Sequence, residues 1–518
     1  MGTCFFHVLF RNDYRGSMRI KSNISIWFKP LQGLFLSCLV AVSLAATPLT
    51  AGAIGPQQPI YLKASNTNNY FQLGYSVAIS GDTMVVGSRL EASASTGVNG
   101  DQTSTSATAA GAAYVFVRSG ESWVQQAYLK ASDTTVGDWF GFSVAIDGDT
   151  LVVGAREATR VIGANNATLR FAGVAYVFTR SGETWSQQAY LKASNIDVGD
   201  RFGESVAVSG NTVVVGAPFE GGDDSGNFDD AGAAYVFTRS DTSWTEQAML
   251  KASNTQEGDK FGSAVTIAGD TLVVGAMGED SRATEINGNE NDNTARSAGA
   301  AYVFVRSGES WGQQAYLKPS DIDADDEFGR FMDISGETLV VSARGENSNA
   351  TGVDGDAADA SANSAGAAYV FVRSNDTWSQ QAYLKASNTA AGARFGSSIS
   401  VSGDIVVVGA NGEDSNASGV NGDQNNTLAV DSGAAYVFAR DGTGWSERAY
   451  LKASNTTAGD EFGWSVGISG DTLVVGAYKE SGSATGVDGL DDDLTPQSGA
   501  AYIFSVPAAD LIFKNNFE

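Results

Sequence analysis

Phe140-Gly141-Phe142-Ser143-Val144-Ala145-Ile146-Asp147-Gly148-Asp149-Thr150-Leu151-Val152-Val153-Gly154-Ala155 is the stretch that decides the fold. Its first seven residues alternate apolar and small side chains, the period of a half-buried strand. Gly148-Asp149 makes a tight turn, and the run after it is apolar and β-branched. Further on, Ala175-Tyr176-Val177-Phe178 reads as a third strand. A turn over 181–184 then leads through Trp185 into a fourth strand over 187–192. Four antiparallel strands joined by two short turns and one long loop make a propeller blade.

The pattern occurs seven times. The glycine of the first turn falls at Gly81, Gly148, Gly210, Gly269, Gly336, Gly403 and Gly470, with spacings of 67, 62, 59, 67, 67 and 67 residues. A period of this length built from β-type segments predicts an all-β, seven-bladed β-propeller over 57–506. Its blades start near 71, 140, 202, 261, 328, 395 and 462. The first two strands of each blade, densest in Val, Gly and Ala, are expected nearest the axis. The seventh copy stops after Ala501-Tyr502-Ile503-Phe504 with no fourth strand, and Ile60-Tyr61-Leu62-Lys63-Ala64-Ser65 supplies an orphan one. Residues 57–65 are therefore expected to form the outer strand of blade seven and close the ring, since a bare sheet edge invites aggregation.

The formal charge is −27, and beyond residue 53 it is −31, from 27 basic against 58 acidic residues. Such a balance argues against nucleic acid or an anionic membrane as partner. Arg19, Lys21 and Lys29 precede an apolar run over 31–46, and Ala51-Gly52-Ala53 suits a cleavage site. Residues 1–53 thus read as a cleaved signal peptide, with Met1 or Met18 as the start. The expected location is secreted, extracellular or periplasmic, with no membrane span after cleavage. Cys4, Cys38 and His7, the only residues of their kinds, all lie in this leader. The rest of the chain therefore offers no disulfide, Cys/His zinc site, Cys nucleophile or His-based triad. The tail 507–518 has no counterpart in the repeat.

The repeats resemble the FG-GAP repeats of integrin α-subunit heads and of bacterial secreted proteins. The first motif stands as Phe140-Gly141, Phe202-Gly203, Phe261-Gly262, Phe328-Gly329, Phe395-Gly396 and Phe462-Gly463, with Leu73-Gly74 degenerate. The second is complete at Gly216-Ala217-Pro218, while Gly87-Ser88 and Ser342-Ala343 depart from it. The resemblance implies an extracellular propeller used for recognition, without catalysis. Several blades of that family carry a calcium loop between the first two strands. Here Ser80-Gly81-Asp82-Thr83 and its equivalents are too short to wrap a cation that takes 6–8 oxygen ligands.

Inserts of 14 to 22 residues join the second and third strands, on the same face as the blade-to-blade connections. That face carries most of the length variation, and loops on a rigid frame are where function sits. Calcium is the cofactor candidate there, with Asp280, Asp354, Asp356, Asp414 and Asp423 as ligands around Asx-Gly turns. The same residues also suit plain turn formation. Blade three adds Asp223, Asp224, Asp229 and Asp230. The connections repeat an acid at Asp138, Asp200, Asp259, Asp326 and Asp460, readable as a cation ring or as Asx-turns. The repeating outer-strand lysines and third-strand arginines read as edge protection and as partners of acids. Trp139 and Trp464, which break the repeat with large aromatics, are the candidate ligand platforms. Asp491 to Asp493 and 323–327 could serve acid–base work, but no separation is defined.

The expected function is binding or adhesion through the acidic long-loop face to an extracellular protein or glycan. The alternatives are a structural surface module and a glycan-active enzyme.

Overall fold

The computed structural model describes residues 59–162, 167–221, 230–489 and 492–505. The expected leader, Asp223, Asp224, Asp229, Asp491 and the tail lie outside the described residues. Seven four-stranded antiparallel sheets form a ring. The innermost strands are Leu73–Ser80, Ser143–Asp147, Ser205–Ser209, Phe261–Ala268, Phe328–Ser335, Phe395–Ser402 and Ser465–Ser469, and neighbouring ones touch around the axis. In the last sheet the outer strand is Ile60–Leu62, paired with the third strand in the register Ile60↔Ile503, Tyr61↔Tyr502 and Leu62↔Ala501. No helix among the described residues is long and apolar enough to cross a membrane.

Second strands such as Thr150–Ala155 are buried at every residue, because a blade in the ring is covered on both faces. Their continuous apolar character follows from that position. One hydrophobic cluster fills each seam between blades. Val85 and Val115 of blade one, for example, meet Phe140, Val153 and Tyr176 of blade two. Phe140 is fully buried, 5.4 Å from Tyr176 and 6.1 Å edge-on to Phe178. Burying such a ring contributes roughly 1.5–3 kcal/mol, and six of the seven seams use the same Phe.

The glycines of the two motifs are distance requirements of this seam. A Cβ on Gly154 would sit 2.2 Å from the carbonyl oxygen of Gly203 in the next blade. Gly203 itself adopts φ +92, a conformation that side chains resist. The hydroxyl of Ser143 donates to that same carbonyl at 2.8 Å, as Ser76, Ser205, Ser398 and Ser465 do at their seams. At the rim, Trp185 Nε1 donates to Gln126 of the preceding blade at 2.7 Å, and Trp244, Trp311, Trp378 and Trp445 repeat the bond.

Of the recurrent lysines, expected as edge protection and as partners of acids, five are partners of acids and lie inside the blades rather than guarding an edge. Lys63, Lys130, Lys318, Lys385 and Lys452 have fully buried side chains and pair at 2.6–3.0 Å with Glu480, Glu91, Glu279, Glu346 and Glu413. These glutamates come from the start of each insert. Tyrosine hydroxyls add to the shell, Tyr383 donating to Glu346 at 2.9 Å and Tyr450 to Glu413 at 2.9 Å. A buried ion pair holds only when its remaining lone pairs are satisfied, and here they are. Blade two departs from the set. Its insert reads Arg156-Glu157-Ala158, one residue short, so Ala158 stands where the acid would be. Lys192 is correspondingly exposed. Arg160, carried on a small hairpin of Arg160–Ile162 and Ala167–Leu169, fills the space and reaches Asp138 at 3.3 Å and the Tyr176 hydroxyl at 2.7 Å. Lys251 of blade three pairs with Glu220 but stays only half-buried, so full burial of a lysine needs the glutamate without being guaranteed by it.

Candidate functional site

Every inner strand begins, and every second strand ends, at the mouth of the axis on the long-loop face. Within the repeating frame, three registers there do not repeat. The residue before Phe-Gly is Gln72, Trp139, Arg201, Lys260, Glu327, Arg394 or Glu461. All seven have φ between +53 and +61. Each amide donates to the insert of the preceding blade, as Trp139 does to Ala109 at 3.1 Å and Arg394 to Ser364 at 3.1 Å. A left-handed non-glycine residue costs roughly 1–2 kcal/mol, and the seam imposes it whatever the side chain. The residue after Phe-Gly is Tyr75, Phe142, Glu204, Ser263, Arg330, Ser397 or Trp464. The residue closing the second motif is Arg89, Arg156, Pro218, Met277, Arg344, Asn411 or Tyr478.

These registers surround an axial cavity of about 440 Å³. All seven residues after Phe-Gly line it. Deeper, one apolar residue from each blade lines it in turn: Val77, Val144, Val206, Val265, Met332, Ile399 and Val466. The three registers hold seven cations against three glutamates, in a chain whose formal charge is −27. The mouth is therefore a basic and aromatic centre inside an acidic face.

Its two sides differ. On blades seven, one and two, aromatic rings and guanidiniums interleave. Arg89 lies 3.8 Å from the Tyr75 ring centre and 4.9 Å from Trp139. Arg156 lies 4.2 Å from Phe142 and donates to both oxygens of Glu204 at 2.7 and 2.6 Å. Trp464 packs on Tyr478 at 4.7 Å and on Tyr75 at 5.5 Å. Burial pushes the Tyr75 hydroxyl up and the Arg89 guanidinium down from their ordinary values. This half is filled by its own stacking. On blades five and six, Arg330, Arg344 and Arg394 gather instead. Arg330 pairs with Glu327 at 2.7 Å, whereas neither Arg344 nor Arg394 forms an ion pair among the described residues. Burial, and then the like charges of Arg330 and Arg394, push Arg344 down to about 10.

Of the expected platforms, Trp464 lines the cavity, and Trp139 stacks on Phe142 at 6.2 Å. The five candidate calcium ligands each accept a backbone amide. Asp280 accepts from Ser297 at 2.7 Å, Asp354 from Tyr383 at 2.9 Å and Asp356 from Ala358 at 3.2 Å. Asp414 accepts from Asp431 at 2.9 Å and Asp423 from Asn425 at 3.0 Å. Among the described residues, no group of three or more His, Cys, Asp or Glu is placed to hold a metal. Asp354 has φ +54, and Asn99, Asn287, Asn421 and Asp488 share that conformation, which Asn and Asp reach at least cost. Trp311, like the other blade tryptophans, belongs to a seam rather than to the mouth.

The connection carboxylates do not converge on one another. Each accepts an amide three residues upstream, at 2.7 Å for Asp200 from Asp197 and 2.8 Å for Asp259, Asp326 and Asp460. Burial raises Asp138 and Asp200 to about 6 and Asp259 and Asp326 to about 7. A carboxyl raised in the folded state adds stability that is complete below the unfolded value of about 3.9 and fades as pH rises through 6–7. Self-repulsion of the acidic surface acts in the same direction. The melting temperature is therefore expected to be higher at pH 5 than at pH 8, with Asp326→Asn flattening the slope. A melting temperature that is flat or rises from pH 5 to pH 8 would contradict this.

The arginines and Tyr75, Phe142 and Tyr478 were not legible as site residues from their types alone. The signal that marks them is non-repetition beside the two repeated motifs, Phe-Gly and Gly-Ala, the second of which reads Ser342-Ala343 in blade five. No curated protein matches the chain. Models of the FG-GAP repeat match 58–116, 123–178, 185–237, 244–304, 311–371, 378–438 and 445–504, each running from the outer strand of one blade into the third strand of the next. Together they cover most of the sequence, and the chain belongs to the FG-GAP repeat family.

Proposed function

We propose that this propeller is a secreted, non-catalytic binding protein whose long-loop face recognises an extracellular macromolecule, centred on the axial mouth. One observation carries the reading: apart from isolated departures such as Leu73 and Ser342, the seven copies share one frame, and their differences concentrate in the inserts and in the three registers of the mouth. A scaffold without a ligand needs no such difference between blades. The exposed apolar residues support it. Tyr70, Val136, Phe171, Val198, Leu428, Val430 and Leu494 lie on the inserts and connections, while Val124, Tyr190 and Met249 lie on outer strands. The short-turn face has none among the described residues. Isolated exposed apolar side chains are ordinary, but seven of these ten lie on the long-loop face, as a contact surface there requires.

The immobilised full chain, exposed to its native extracellular milieu, tests this. A partner should be retained by the wild type and lost at least tenfold with Leu428→Glu/Val430→Glu or with Trp464→Ala. Loss of the partner on chelation would place calcium in the inserts. Equal retention by all variants, or self-association with no partner, would overturn the reading.

A further inference from the structure

The mouth carries more specific chemistry than a general contact surface. Arg344 is a half-buried guanidinium facing a cavity, with Arg330 and Arg394 adding like charge; Glu327 and Glu461 act on it more weakly, and no carboxylate forms an ion pair with it among the described residues. Several other buried cations meet acids directly. Buried lysines meet glutamates, and Arg156 is clamped by Glu204 and Glu157. A charge left out of water without a partner is costly, so Arg344 is arranged for an anion supplied from outside.

We propose that the axial mouth binds a peptide through one carboxylate held by Arg344 and Arg330, with an adjacent aliphatic side chain inserted into the apolar ring below. This rests on the reading of the long-loop face as the recognition surface. Three features favour a peptide over other anions. The wall beneath the arginines is aliphatic, at Val265, Met332 and Ile399, which suits a leucine-like side chain and not a hydroxylated sugar. The faces of Tyr75 and Phe142 that a sugar ring would stack on are already occupied by Arg89 and Arg156. The acidic inserts around the mouth repel a polyanion along its length, whereas a chain with one carboxylate passes them.

Fluorescence anisotropy with the full chain tests the proposal. The probe is a dye-labelled pentapeptide, capped at both ends, with one glutamate between two leucines. Its arms are the glutamine isostere, the same chain with serines for leucines, and the glutamine chain with a free C-terminal carboxylate. Polygalacturonate and inorganic phosphate serve as competitors. The glutamate probe should bind at least tenfold more tightly than its glutamine isostere, and more tightly than the serine chain. Arg344→Gln should remove that preference. If the free-acid arm binds best, the carboxylate is a chain end; if the capped glutamate binds best, it is a side chain. Ser263→Trp, at a register that already holds Trp464 in blade seven, fills the mouth and provides a second variant should Arg344→Gln fail to fold. Equal binding of glutamate and glutamine probes, no binding at all, or stronger competition by polygalacturonate would overturn the proposal. Partner retention that survives Arg344→Gln but is lost with the insert variants would sink this inference and leave the broader binding role standing.

Discussion

Removal of residues 57–65 is expected to make the protein aggregate. The strand Ala500–Ser505 would lose its neighbour along Ile60–Leu62 and present a bare row of amides and carbonyls. Leu62 and Ala64 are buried, so their apolar surface goes with them. Glu480, itself buried, would lose both the Lys63 ammonium at 2.6 Å and the Tyr61 hydroxyl at 2.7 Å. An uncompensated buried charge alone costs about 3–5 kcal/mol. Size-exclusion chromatography should show soluble aggregate, and hydrogen exchange should accelerate over Thr472–Ala477 and Ala500–Ser505 before other blades respond. Unchanged elution and unchanged protection would mean that this strand is dispensable.

The second large effect is expected within a blade. Lys385→Met strands Glu346, which is buried and has its Oε2 2.6 Å from the Lys385 ammonium. The loss should be about 3–5 kcal/mol in a denaturant titration. Adding Glu346→Gln should recover most of it, because the residual cost is that of an unpaired charge and not of a missing contact. Lys192→Met, the same substitution at the equivalent position of blade two, should stay within about 0.5 kcal/mol, since that lysine is exposed. Equal losses at the two positions would show that the buried pair contributes nothing beyond side-chain packing.

These two lysines also mark what could and could not be read from the sequence. Phe140-Gly141 and Gly154-Ala155 revealed the blades because strand period, turn glycines and repeat length all demand one architecture. The destination of Lys385 was hidden, because its partner Glu346 sits 39 positions earlier, inside an insert that reads as solvated loop. Residue type alone favoured exposure, and tertiary pairing reversed it. Asp354 was legible only as an acid beside a glycine, and its φ of +54 and bond to Tyr383 needed coordinates. Trp139 and Trp464 were visible because large aromatics interrupt a pattern. Arg344 was not, because an arginine in a variable loop looks like ordinary surface charge. Its meaning comes from Arg330 and Arg394, which lie on different blades and meet only around the axis.

The mismatch between sequence unit and blade has a consequence for biosynthesis. Glu91 belongs to the matched unit 58–116 and its partner Lys130 to the unit 123–178, so in blades one, three, four, five and six the acid is translated before its cation, whereas blade seven reverses the order. A nascent chain ending within one of those five blades therefore carries an unneutralised glutamate until its fourth strand is made. In blade seven it is the lysine that waits, Lys63 being bonded to Ser498 across 435 positions of chain. Contacts that distant are slow to form. Hydrogen exchange on ribosome-released fragments should find the outermost blade open at every intermediate length, and the segment near residue 60 unprotected until residues near 500 are present.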